Sequence, residues 1–298
     1  MSVIIPCHPR NRKSLQRTLE SLKAADGGNE AELIVVEDVE SKGPSWARNR
    51  GLERATGEVV FFCDADDTVG KEFFSRPLMA LAESRADMCF FTYVGGPQLQ
   101  FATYNGNEAV RERFLPAFFG YSNADVRRWN AGGVLSARKE MGQVWRCAFR
   151  RMFLETHAIR FDEAISLFED AAFLSACVAR AECVVTIPDI LYNYVPVPGG
   201  NLATGWRSVR NWEYKFVVLA FRRRLDEECG GELWRYCEAS CVFSALELLK
   251  ARHRLFEYLA DAKVRAALRK FPLSVHHPAV ALCVIALRAL VILRKFSS

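Results

Sequence analysis

Ten cysteines occur in this 298-residue sequence, yet no two of them form a C-x-x-C pair. That absence excludes the common zinc-ribbon and thioredoxin-type spacings. The cysteines are scattered from Cys7 to Cys283, and Cys63 and Cys89 sit inside apolar runs. There a free thiol behaves as a small buried hydrophobe. The pattern implies a reducing cytosol and no disulfide framework. No secretory signal is expected either, because Met1 leads straight into a strand-like run, without a basic region or a long apolar stretch. No run is long enough to span a bilayer. The strongest, Pro278 to Leu287, is short and is followed by Arg288. Internal repeats and low-complexity tracts are absent too, which excludes solenoids and arrays.

What is present is ordinary globular material, half hydrophobic and a quarter charged, ample for a buried core. The charge is uneven. Residues 1–205 hold 23 Lys and Arg against 26 Asp and Glu, whereas residues 206–298 hold 17 against 9. A basic excess at one end implies an anionic partner there.

Apolar runs predict strands at Ser2 to Pro6, Glu32 to Val36, Glu58 to Cys63 and Met88 to Val94. Between them, apolar spacing predicts helices from Leu15 to Leu22 (with Ser14 as N-cap), Trp46 to Ala55 and Lys71 to Ser84. This alternation implies an α/β fold with a mostly parallel sheet and helices on both faces. In such sheets ligands bind beyond the carboxyl ends of the strands. Pro6, Asp38 and the acidic run Asp64 to Asp67 all fall at such ends. Residues 95–145 read as irregular, with a helix at 107–119. Phe168 to Ala181 reads as a helix opening on Glu169-Asp170, and Cys183–Pro188 and Leu191–Val195 as two short strands. Trp145, Phe149 and Phe153 stand at helical spacing and read as core. Pro196 to Gly200 reads as a linker, and the chain beyond about Trp206 as helical.

The acidic run has several readings. Asp64-Ala65-Asp66-Asp67 follows a buried strand, and one or two carboxylates together with substrate phosphates are a common way to hold Mg²⁺. The bland reading is an acidic turn or helix cap. An EF-hand is excluded, because Val69 stands where the loop glycine is required. Asp64-Ala65-Asp66-Asp67-Thr68 also fits the D-x-D-x-T of haloacid-dehalogenase phosphatases, with Asp64 as nucleophile and Asp66 as acid/base. That motif usually stands on the first strand of its domain, however, and here two strand–helix units precede it.

The order of motifs resembles the family 2 glycosyltransferases, inverting enzymes of the GT-A fold. Ser2 to Pro6 resembles their opening strand. Glu32 to Asp38 resembles the strand ending in a base-contacting Asp, and Ala47-Arg48-Asn49-Arg50-Gly51-Leu52 their A-R-N-x-G-L stretch. Gly57 to Asp67 resembles the metal-binding segment, and Phe168-Glu169-Asp170 the E-D element. The resemblance covers residues 2–195. It departs on the nucleotide side, with Cys7-His8-Pro9-Arg10 after the first strand and Glu37-Asp38-Val39-Glu40 in place of D-D-G-S. No Q-x-x-R-W motif occurs, which argues against a processive synthase.

The resemblance implies a catalytic domain over residues 1–205 and a helical region over 206–298. It implies donor contacts at Pro6, Asp38, Arg48, Asp64 and Ala65, Mn²⁺ or Mg²⁺ on Asp66 and Asp64, and Asp170 as catalytic base. The expected partners are a nucleotide-sugar donor, a UDP-sugar, and a glycan or lipid-linked acceptor in cell-envelope or capsule synthesis. A phosphatase and a degenerate glycan-binding protein are the alternatives. The basic tail, with Arg222-Arg223-Arg224 and Arg294-Lys295, fits an interfacial helix on an anionic membrane. A packed C-terminal helix or a dimer contact is its bland counterpart. Nucleic acid is not expected, since no basic–aromatic groove pattern occurs. The expected location is cytoplasmic, at the inner face of the plasma membrane.

Overall fold

The computed structural model describes residues 1–133, 140–165, 167–195 and 209–229, with isolated positions between 233 and 292. Eight strands among them form one sheet: β1 (Ser2–Cys7), β2 (Glu32–Glu37), β3 (Val59–Phe62), β4 (Thr68–Val69), β5 (Met88–Tyr93), β6 (Ala102–Asn105), β7 (Cys147–Arg150) and β8 (Cys183–Asn193). Their order is β2-β1-β3-β7-β5-β8-β4, and β6 also pairs with β8. The ladders β1–β2, β1–β3 and β5–β8 are parallel. Strand β7 enters antiparallel between β3 and β5.

The helices are α1 (Arg12–Ala24), α2 (Pro44–Arg54), α3 (Ser75–Ser84), α4 (Asn107–Ala109), α5 (Leu115–Phe118), α6 (Asn123–Asn130), α7 (Arg151–Thr156), α8 (Glu169–Arg180) and α9 (Val209–Cys229). The chain divides into two compact units. One comprises Met1–Phe114 and Gly142–Asn201; the other comprises Leu115–Met141 and Leu202–Ser298.

Strand periodicity explains the layers, because successive side chains point to opposite faces. Val3, Ile5, Phe61 and Cys63 join one core with Leu22 of α1 and with Phe73 and Phe74 before α3. Phe62 points the other way and meets Phe149, Phe161 and Phe173 edge-on, at 5.4–5.9 Å between ring centroids. Helix α2 lies on that second face. A Cβ at Gly51 would come within 2.2 Å of Ile4 Cγ2, so only glycine lets α2 sit this close to β1.

Several expected boundaries move. Ser14 does not cap α1: the helix starts at Arg12, and Ser14 Oγ donates to the Asn11 carbonyl at 2.8 Å. A 3₁₀ turn at Pro9–Asn11, capped by His8, feeds the helix instead. The helix expected from Lys71 begins only at Ser75. The two short strands at 183–195 are one strand, β8. Its register against β5 shifts around Pro188, which has no N–H to give the ladder. Trp145, Phe149 and Phe153 are buried, but on a 3₁₀ turn, on β7 and on α7. The 107–119 stretch is helical with a π-helical turn at Val110–Phe114.

In the second unit α9 begins close to where the sequence turns helical. Arg222 is buried and pairs with Glu140 at 2.9 Å, and Arg223 pairs with Glu227 at 3.2 Å. The arginine cluster is therefore not a free cationic patch. The Pro196–Gly200 linker and the Arg294-Lys295 pair lie outside the described residues. Among the described residues no helix is long and apolar enough to cross a membrane.

Candidate active site

Three parallel strand ends build the site. β1 ends at Pro6-Cys7, and the Asp38 amide continues its ladder with β2 by donating to the Cys7 carbonyl at 2.9 Å. Asp38 is buried. Its carboxylate accepts from the Lys42 and Gly43 amides, both at 2.7 Å, and so closes the turn that starts α2. β3 delivers Asp64, with the preceding Cys63 amide donating to the Ile4 carbonyl at 3.0 Å.

The acidic turn is anchored from below. Arg17 of α1 donates to the Asp66 carbonyl at 2.7 Å, and Thr18 to the Asp67 carbonyl at 2.8 Å. Ala65 and Asp67 are buried, whereas Asp64 and Asp66 are partly exposed. Burial, then the charge of Asp64, raises the Asp66 carboxyl above the usual range. The same causes push Asp67 up to about 7, against hydrogen bonds from Val195 N–H at 2.8 Å and Tyr192 hydroxyl at 2.7 Å. Tyr192 also accepts from the Asp64 amide at 3.1 Å, so β8 clamps both ends of the acidic run. Its ring stacks on Trp145, with centroids 4.3 Å apart.

Opposite the turn, α8 begins at Glu169. The preceding Phe168 has a φ of +63°, a left-handed backbone unusual for a bulky residue. Arg48 of α2, with 4% of its side chain exposed, joins the two sides. It lies 3.1 Å from Asp64, 3.0 Å from Glu169 and 2.7 Å from Asp170. Burial opposes its charge, but the three carboxylates win and raise its pKa further. The Val144 amide donates to Asp170 Oδ2 at 3.3 Å. Burial pushes Asp170 up to about 7; Arg48 pulls it down, while Glu169 and Asp64 push it up.

The structure therefore brings Arg48, Asp64 and Asp170 together through direct contacts, with Ala65 and Asp66 in the same turn. Pro6 and Asp38 stand at the neighbouring strand ends. The sequence did not reveal the site contacts of Tyr192, Arg17 and Thr18. Tyr192 did lie in a noted Leu-Tyr-Asn-Tyr segment, but nothing there announced a bond across 128 residues. Among the described residues no group of three or more His, Cys, Asp or Glu side chains could hold a metal ion. What the turn offers is two partly exposed carboxylates, Asp64 and Asp66, whose mutual repulsion a cation would relieve. That fits an ion whose other ligands come from a diphosphate.

A mixed sheet with an acidic turn after its third strand and an E-D helix facing it gives a GT-A type fold. The fold is shared with S. aureus TarS 1-349 in complex with UDP-GlcNAc: TM-score 0.63 at 17% identity, covering 100% of this chain and 92% of that one. The mannosyltransferase PcManGT from Pyrobaculum calidifontis, in complex with GDP-Man and Mn²⁺, gives a TM-score of 0.52 at 16% identity, covering 99% and 84%. The glycosyl transferase family 2 sequence model matches residues 39–137, a stretch holding α2 and the acidic turn. The succinoglycan biosynthesis protein ExoO of Rhizobium meliloti (strain 1021) is 28% identical over 158 residues, 52% of this chain and 42% of that protein. The uncharacterized glycosyltransferase EpsJ of Bacillus subtilis (strain 168) is 28% identical over 162 residues, 51% and 42%. The chain thus spans under half the length of these two relatives. Over residues 39–137 it is similar to the family 2 glycosyltransferases.

Proposed function

We propose that this chain transfers a sugar, with inversion, from a nucleotide-diphosphate donor, a UDP-sugar, to a glycan or lipid-linked acceptor in cell-envelope polysaccharide synthesis. The observation that carries this reading is the Arg48 cluster. It sets Asp64, at the head of the acidic turn, and Asp170, at the head of α8, around one guanidinium. Glycosyl transfer needs those two functions side by side. The leaving diphosphate gains negative charge, and the acceptor hydroxyl must lose a proton.

Asp66 and Asp64 would hold Mn²⁺ or Mg²⁺ together with the donor diphosphate, and the ion would supply Lewis-acid stabilisation of the leaving group. Asp170, at about 7, is poised to take the acceptor proton near neutral pH. Pro6, Asp38, Arg48 and Ala65 border the donor side. The domain division of this reading is a transferase unit within residues 1–205 and a helical region after it.

The same reading places the tail on a membrane. Leu282, Ile285 and Ile292 are helical and expose 66%, 49% and 57% of their surface. With exposed Ala286 and Ala289 they recur every three or four residues, the spacing of one helix face. An apolar face in a region of 17 basic and 9 acidic residues suits the anionic inner leaflet.

A donor panel of UDP- and GDP-sugars tests the activity, scored by release of the nucleoside diphosphate with Mn²⁺ or Mg²⁺ and with chelator. Metal-dependent release from one donor is expected. No release from any donor, with phosphate freed from phosphomonoesters instead, would overturn the reading in favour of a phosphatase.

A further inference from the structure

One side chain grips Phe161 at both of its backbone groups. Asn49 Oδ1 accepts from the Phe161 N–H at 2.9 Å, and Asn49 Nδ2 donates to the Phe161 carbonyl at 3.0 Å. The amide serves Phe161 as a neighbouring strand would. Nδ2 also donates to Glu163 at 2.9 Å, and Ser45, one turn earlier on α2, donates to the Ile165 carbonyl at 3.0 Å. Asn49 and Ser45 are both buried, so the bonds to Phe161 and Ile165 are shielded from water.

The Phe161 ring passes this constraint on. It lies face to face with Phe173, with centroids 4.0 Å apart and planes within 4°. Phe173 stands three residues after Asp170 on α8. The guanidinium of Arg48, which holds Glu169 and Asp170, sits 5.3 Å from the same Phe161 ring.

The geometry points to Asn49 and Phe161 as positioning residues that fix where the Glu169–Asp170 pair stands, with Ser45 as a weaker auxiliary. Neither touches the two carboxylates. Both act through Phe173 and the start of α8, while Arg48 of the same helix supplies the ionic contact. The catalytic consequence rests on the reading of Asp170 as the base. A base displaced by about 1 Å can cost about 10²-fold in rate.

The test uses the full chain with Asn49→Ala, Phe161→Leu and Ser45→Ala. Amide hydrogen exchange without any ligand is read first. Asn49→Ala and Phe161→Leu should speed exchange over residues 159–165 and 168–174 while leaving β1 and β3 unchanged. Kinetics with the active donor of the panel follow. Asn49→Ala should lower kcat by about 10²-fold and leave the donor KM within about twofold, because donor binding does not use the base. Ser45→Ala should show the same split at smaller amplitude, and it carries the test if Asn49→Ala does not fold.

Unchanged exchange overturns the inference, as does wild-type kcat in a variant whose exchange is locally faster. So does a common loss of kcat, donor affinity and protection throughout the unit, which would mark a merely structural contact. If the wild type turns over no nucleotide sugar, the proposed function fails. The exchange experiment then still decides whether Asn49 holds the start of α8.

Discussion

Arg48 Nη1 lies 2.7 Å from Asp170 Oδ1, and the same nitrogen stands 3.0 Å from Glu169. One buried nitrogen thus donates to Glu169 and stands in ionic contact with Asp170, and Asp170 keeps a raised pKa despite this partner. The charge balance at this point decides what each acid can do.

Asp170→Asn should lower kcat by about 10²–10⁴-fold and leave the donor KM nearly unchanged. Glu169→Gln should be milder. Steady-state kinetics on both variants decide between them; a dead Glu169→Gln beside an active Asp170→Asn would move the base to Glu169.

The pH dependence follows from the carboxyl raised to about 7. The base works ionised, so kcat should climb as pH rises through about 7 and level off above it. The stability contribution of Asp170 runs the other way. Its folded-state pKa exceeds the ordinary value of 3.8, so its contribution is fully present below that value and is lost as pH rises through about 7. Unfolding midpoints from pH 4 to 8 should lose part of this slope in Asp170→Asn.

Asp66→Asn keeps size and removes charge. Donor turnover should disappear with the melting temperature unchanged, and chelator should abolish turnover in the wild type. Full activity under either condition removes the metal from Asp66.

Arg48→Met should be among the most damaging single changes to stability. It leaves three carboxylates facing each other without their cation, at a cost of about 3–5 kcal/mol. Arg12→Met, which breaks the exposed Arg12–Glu37 pair, should cost less than about 1 kcal/mol. Urea unfolding of the two variants gives the comparison, and equal losses would contradict the buried hub.

The tail should bind vesicles containing anionic lipid, and more weakly as salt rises, since screening shortens the reach of its charges. Truncation after Lys270 should abolish co-sedimentation and preserve donor hydrolysis. A full-length chain that ignores anionic vesicles at low salt rules out the membrane role, and truncation that unfolds the catalytic unit assigns the helix to packing.

The parallel half of the fold was legible because its strands are short apolar runs with acids at their ends. Val59 to Phe62 announces both a buried strand and the turn it delivers. Asp64, Asp66 and Asp170 could be named as candidates, because metal and base chemistry would call for carboxylates at such ends. What could not be read was contact at long range. Arg48 could be named only as a donor contact, and the fold alone sets it within 3.1 Å of Asp64 and 2.7 Å of Asp170. Tyr192 reads as a strand aromatic, and its hydroxyl matters only once β8 lies beside the acidic turn. Strand β7 escaped because four residues between a 3₁₀ turn and a helix leave no period to count.

The placement of β7 has a consequence for how the molecule is made. The middle of the sheet, between β3 at residues 59–62 and β5 at 88–93, is filled by residues 147–150. A chain emerging from the ribosome can pair β1, β2 and β3 early, but the apolar edge of β3 then waits for some 85 further residues. Unpaired edges of this kind recruit other strands, so the nascent half-sheet is the stage most exposed to aggregation. The acidic turn is synthesised well before Asp170, and the two meet only after β7 has closed the gap and α8 has followed it.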